Sequence, residues 1–125
     1  MWNKEIAVEY LDSHARPSSV SRCAEFVRSA IEAGGLRLMR RRSAKDYGES
    51  LEMCDFAIIE PVSPIAGDIV AIQPASARGH GHMAMYNGTN WVSDFKQMHG
   101  LYPGTGVSAV ETGLFDLSLL VLGAP

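Results

Sequence analysis

The chain has 125 residues, room for one domain whose core is large enough to fold without disulfides or a structural metal. Hydrophobic residues make up 46% and charged residues 20%, and the net charge of −3 excludes a general nucleic-acid binder, which needs a basic surface. No apolar run reaches the roughly 18 residues of a membrane span, and Met1-Trp2-Asn3-Lys4-Glu5 lacks the basic-then-apolar order of a secretory signal. The expectation is a protein made in the cytoplasm, any export of which reads no cleavable N-terminal signal. Two cysteines, Cys23 and Cys54, are too few for a disulfide framework.

In chain order, Asn3 to His14 reads as a helix with Asn3 as N-cap and Ile6, Ala7, Tyr10 and Leu11 on one stripe. Pro17 bars its continuation, and Ser18, Ser19 and Ser21 offer caps for a second helix that runs to about Ala33. Val20, Ala24, Val27 and Ile31 share the buried face of that helix, and Gly34-Gly35 closes it. Cys23 thereby falls in its first turn. Arg37 to Lys45 holds five of the eleven basic residues, either a solvated face or a contact for an anionic substrate or partner. A short helix around Ser50 to Cys54 precedes the extended Phe56 to Ile59.

Asp68 to Gln73 reads as a strand, His82 to Tyr86 as a second, and Trp91 to Phe95 as the strand returning from Asn87-Gly88. The fold class is α+β: a single domain, 1–125, with N-terminal helices packed on an antiparallel β-sheet. The apolar segment Leu114 to Leu122 is a buried closing strand, a short helix, or an altered terminus.

A thiol at a helix start sits among unpaired N–H groups and the positive end of the dipole, which favour the thiolate. It becomes a nucleophile when an imidazole manages its proton and a third group fixes that imidazole. Of the four histidines, His82 opens a strand beside small residues and is the best base. Asp94 stands opposite His82 only if Asn87-Gly88-Thr89 is a three-residue loop; a two- or four-residue loop puts them on opposite faces. The candidate triad is therefore a statement about hairpin register. Singly, each residue has a plainer reading: a buried cysteine, a solvated histidine, an aspartate at a strand edge. Their joint order favours catalysis.

Four segments carry a family resemblance. Ser21-Arg22-Cys23-Ala24-Glu25-Phe26-Val27-Arg28 resembles the nucleophile helix of the CHAP and NlpC-type cysteine peptidases. Ala66-Gly67-Asp68-Ile69-Val70 resembles their Gly-Asp strand, and Gly81-His82-Met83-Ala84-Met85-Tyr86-Asn87-Gly88 their histidine strand, with Trp91-Val92-Ser93-Asp94-Phe95 in the place of the third residue. The resemblance covers about 4–106, and 107–125 is atypical of it. It implies a papain-like fold and hydrolysis of amide bonds in peptidoglycan stem peptides or cross-links. Cys23 would be the nucleophile, His82 the base and Asp94 the orienting residue, with no cofactor and no metal.

The signal-less start adds a hint of a type VI secretion effector, a toxin with an immunity protein that blocks its cleft; the alternatives are a phage or a housekeeping lysin. The expected location of action is the periplasm of a target cell, as a monomer. Around the cleft, Arg78 is a candidate to hold a substrate carboxylate, and Tyr86, Trp91 and Tyr102 are candidates to wall it. The backbone N–H of Cys23 is the natural oxyanion donor, with a second expected from Ser18 to Arg22.

Competing readings are a zinc site on His80, His82 and Asp94 or His99, another Cys–His acyl transfer such as deamidation or transglutamination, and a binding module with a buried Cys23. Cys54 is either a buried thiol or an oxidative partner of Cys23.

Overall fold

The computed structural model describes residues 2–59, 63–74, 79–97 and 119–125. Helix α1 (Lys4–His14) starts where Asn3 accepts a hydrogen bond from the Ile6 N–H at 3.1 Å. Helix α2 (Cys23–Ala33) packs against α1, and the Asn3 N–H donates to the Gly34 carbonyl at 2.7 Å, tying the start of one helix to the end of the other. Only glycine fits at 34, because a Cβ there would lie 2.6 Å from the Trp2 ring and 2.8 Å from the Asn3 carbonyl. A 3-10 turn (Ala44–Asp46) leads into α3 (Tyr47–Met53).

The strands are β1 (Ala57–Ile59), β2 (Ile69–Ile72), β3 (His82–Tyr86), β4 (Trp91–Val92) and β5 (Leu119–Gly123). They form one antiparallel sheet in the order β1-β5-β2-β3-β4. The fold class expected from the sequence is the one observed. Among the described residues, no helix is long and apolar enough to cross a membrane.

Alternation along the strands sorts the core into two clusters. Ile69, Met83, Met85, Val92 and Leu122 join Ala7, Leu11, Val27 and Ile31 of the helices. Val70, Ile72, Ala84, Trp91 and Val121 form the cluster of the other face. Each fully buried large aliphatic side chain contributes about 1.5–3 kcal/mol, so the helix-facing cluster fixes where α2 lies on the sheet.

Several sequence expectations shift. Ile6 is 49% exposed, because Ala7 and Leu11 alone carry the buried stripe of α1. Val20 precedes α2 and is exposed. The strand expected over Trp91 to Phe95 ends at Val92, where Ser93 and Asp94 turn the chain. Of the apolar tail, Leu119–Gly123 is an interior strand between β1 and β2; the rest of Leu114 to Leu122 lies outside the described residues.

Candidate active site

The start of α2 is held from a distance. Its N-cap residue, Arg22, makes no side-chain cap. The Val20 and Arg22 N–H groups donate instead to Asp94 Oδ2, at 2.7 and 3.1 Å, and the Ser19 hydroxyl donates to the same oxygen at 3.2 Å. The Asp94 carbonyl accepts the Arg16 N–H at 2.7 Å, so one buried residue gathers the whole loop before Cys23. That loop includes Ser21 at φ +60°, a left-handed conformation unfavourable for a side-chain-bearing residue and maintained here by its surroundings. The Ser21 N–H in turn donates to the Ser19 hydroxyl at 3.2 Å. The serines expected to cap α2 therefore do not, and the second oxyanion donor expected among Ser18 to Arg22 is not offered by Val20, Ser21 or Arg22, whose N–H groups are already engaged.

His82 opens β3 and is 7% exposed. Its approach is fixed by Gly81, at φ +77°, where a Cβ would lie 2.3 Å from the Ile72 carbonyl oxygen. The turn from β3 to β4 is a four-residue loop, Asn87 to Asn90, closed by the Asn87 N–H on the Asn90 carbonyl at 3.0 Å and by pairing of Tyr86 with Trp91. Asn87 Oδ1 organises it by accepting the N–H groups of Thr89 and Asn90 at 2.8 and 2.7 Å. This is the parity that separates His82 from Asp94 across the hairpin.

The side chain that hydrogen-bonds His82 is Gln97. After Val92 the chain reverses through Ser93 and Asp94, and the Gln97 N–H donates back to the Trp91 carbonyl at 2.9 Å. This second small reversal sets Gln97 Oε1 2.6 Å from His82 Nε2, both side chains buried. With the amide oxygen as acceptor, Nε2 carries the proton and Nδ1 keeps its lone pair. Asp94, expected to orient His82, hydrogen-bonds the loop before Cys23 and reaches His82 only through its charge. Sequence reading missed Gln97, although Ser93-Asp94 is turn chemistry inside the run read as a strand.

Cys23 and His82 line one cleft of about 740 Å³. β4 pairs with β3 only at Met85 and Tyr86, and the Met83 N–H, beyond that ladder, hydrogen-bonds the sulfur of Cys23. Burial nevertheless raises the thiol above its ordinary 9.0; the Met83 N–H opposes this, the Asp94 charge adds to it, and the Ala24 and Cys23 N–H groups oppose it with less weight. The expected thiolate-favouring helix start is thus outweighed by desolvation and a nearby carboxylate. Burial lowers His82 below 6.5, and the Gln97 hydrogen bond and the Asp94 charge only partly offset it. At neutral pH the pair rests as thiol and neutral imidazole.

No family model matches the chain, and no curated protein matches it. It does match a chain of the native type VI effector–immunity complex Tae3–Tai3 from Ralstonia pickettii, at 44% identity and a TM-score of 0.88, over 99% of this chain and 100% of that one. The selenomethionine form of that complex matches at 47% identity and 0.83, over 94% and 98%. The chain belongs to the Tae3 family of type VI effectors.

The cleft of this Tae3-family chain is walled by segments the sequence did not bring together. Tyr86 and Trp91, expected to contact substrate, are absent from its lining; they pack on each other with ring centroids 5.1 Å apart in the cluster on the sheet's other face. Arg40, Arg41 and Arg42 of the basic run do line it, together with Cys23 and His82. Arg78, His99 and Tyr102 lie outside the described residues.

The His80 and His82 rings have different partners, because His80 Nδ1 meets the Ser43 hydroxyl at 2.6 Å while His82 meets Gln97. No group of three potential metal ligands occurs among the described residues. Cys23 and Cys54 are free thiols, and Cys54 donates to the Arg37 carbonyl at 3.2 Å beside a different cleft.

Proposed function

We propose that this effector is a papain-like cysteine amidase that hydrolyses amide bonds in peptidoglycan stem peptides or cross-links and kills the cell whose periplasm it enters. The observation that carries the reading is a thiol at the start of α2 in one cleft with a buried imidazole whose far nitrogen is held by Gln97. Kinship with an effector found in complex with its immunity protein supports the toxin role and a blocking partner for this chain.

His82 Nδ1 takes the thiol proton as Cys23 Sγ attacks the amide carbonyl. The proton passes to the leaving nitrogen, a thioester remains on Cys23, and water hydrolyses it with His82 as base. The Cys23 N–H at the helix start is the donor available to the oxyanion. Gln97 keeps the ring in the tautomer and orientation that both proton transfers need.

Because the folded protein lowers His82, the imidazole stays neutral below its ordinary value, and the acid limb of kcat/KM falls below pH 6.5. A pH–rate profile on a soluble muropeptide checks this; an acid limb above 6.5 would contradict the neutral-pair resting state. The toxin reading is tested by directing the chain to the cytoplasm or to the periplasm of a Gram-negative host. Lysis is expected only from the periplasm and only with Cys23 present; equal toxicity in both compartments, or from Cys23→Ala, would overturn it.

A further inference from the structure

Among the described residues, five arginines line the catalytic cleft, Arg22, Arg28, Arg40, Arg41 and Arg42, against one carboxylate, Glu25. The chain as a whole is net negative, so this concentration of positive charge is local. Three of the five are internally satisfied. Arg22 pairs with Glu25, Arg28 with Glu32 at 3.1 Å, and Arg41 with Glu49 at 3.6 Å and the Ser50 hydroxyl at 2.7 Å. Arg40 and Arg42 are exposed and have no carboxylate partner among the described residues.

Their segment is fastened to the strand approach that carries His82. The Ser43 hydroxyl meets His80 Nδ1 at 2.6 Å, the Lys45 N–H donates to the His80 carbonyl at 2.9 Å, and Gly81 lies so close to Lys45 that a Cβ would be 3.2 Å from its backbone nitrogen. This fastening fixes the backbone of the basic run at the cleft that Cys23 and His82 line, so Arg40 and Arg42 stand where a bound substrate would meet them.

We propose that Arg40 and Arg42 are specificity-determining residues that bind a free carboxylate of the substrate, so that the cleft selects acidic stem peptides over their amidated counterparts. The inference rests on the proposed function and names the chemistry by which that site chooses its substrate. Guanidinium suits this task because it meets a carboxylate through two parallel N–H donors and stays charged at any physiological pH.

The experiment compares a synthetic cross-linked stem-peptide dimer, which holds both stem and cross-link amides, in its free-carboxylate form and with those carboxylates amidated. Cleavage is measured with the active enzyme, and binding by calorimetry with Cys23→Ala. The wild-type cleft should favour the acidic peptide by about tenfold, and the double variant R40Q/R42Q should bring the two peptides to near parity. Arg37→Gln, which removes an equal charge per site outside this cleft, should keep the preference. A preference that survives R40Q/R42Q, or one absent from the wild type, overturns the inference. Cleavage without preference removes this inference alone. Arginine-dependent binding without cleavage removes the hydrolase reading and leaves this one standing, and neither binding nor cleavage removes both.

Discussion

Replacing Gln97 with alanine should lower kcat about 100-fold while the protein stays folded. The amide touches His82 at Nε2, on the opposite side of the ring from Nδ1, and fixes which nitrogen is protonated. Without it the imidazole is free to take the other tautomer, which presents an N–H where the mechanism needs a lone pair. The loss should appear in kcat more than in KM, because the ring's orientation matters when the proton moves.

A second readout needs no substrate. The Gln97 hydrogen bond raises the pKa of His82, so Gln97→Ala should lower it further, and Gln97→Glu should raise it. Titration of the His82 ring by NMR in the three proteins checks both directions. An unchanged His82 titration together with unchanged kcat would contradict Gln97 as the orienting residue.

Asp94→Ala should destabilise the protein by about 3 kcal/mol, because it strips a buried carboxylate from two backbone N–H groups and a hydroxyl at once. The loop before Cys23 depends on that carboxylate, so activity should fall together with stability. Asp94→Asn keeps an oxygen for those donors while it drops the charge and the acceptor for the Ser93 hydroxyl, and it should cost less.

The charge also sets a pH dependence. Burial pushes the Asp94 carboxyl up, but the N–H groups of Arg22, Val20 and Asp94 itself and the Ser93 hydroxyl outweigh it, so the folded protein holds it below 3.8. Stability from this group is complete above the unfolded value near 3.8 and is lost as pH falls through the lower folded value. Urea unfolding at pH 7 and pH 3 should show a smaller acid loss in Asp94→Asn than in the wild type.

The same substitution removes a negative charge that raises the Cys23 thiol, so the pH dependence of iodoacetamide alkylation of Cys23 should move to lower pH. A wild-type response in all of these would contradict the placement of Asp94 at the nucleophile loop.

What the sequence made legible was local. Asn3 as a cap, Cys23 at a helix start and the strand from His82 to Tyr86 follow from periodicity and punctuation within a few residues, and the structure has them there. The hairpin register was legible only as a condition. The turn Asn87-Gly88 suits loops of several lengths, and the side chain of Asn87 selects four residues by closing on Thr89 and Asn90.

Gln97 was not legible because its position depends on a second reversal through Ser93 and Asp94, inside a run whose Trp91, Val92 and Phe95 favour a strand. Asp94 was visible as a functional carboxylate, yet its partners lie in a loop more than seventy residues earlier, where no periodic signal points. The interior position of Leu119–Gly123 is non-local in the same sense: an apolar segment states that it is buried, and only pairing with β1 and β2 states where. The arginine wall needed the fastening of Ser43 to His80, which no spacing in the chain announces.

Hydrolysis of cell-wall amides by the Cys23 thiol is read out by mass spectrometry of purified peptidoglycan after digestion by the wild type and by Cys23→Ala. New stem-peptide fragments should appear in the wild-type digest alone, with the cleaved bond identified by their masses. Intact peptidoglycan in both digests, with both proteins folded, would contradict it.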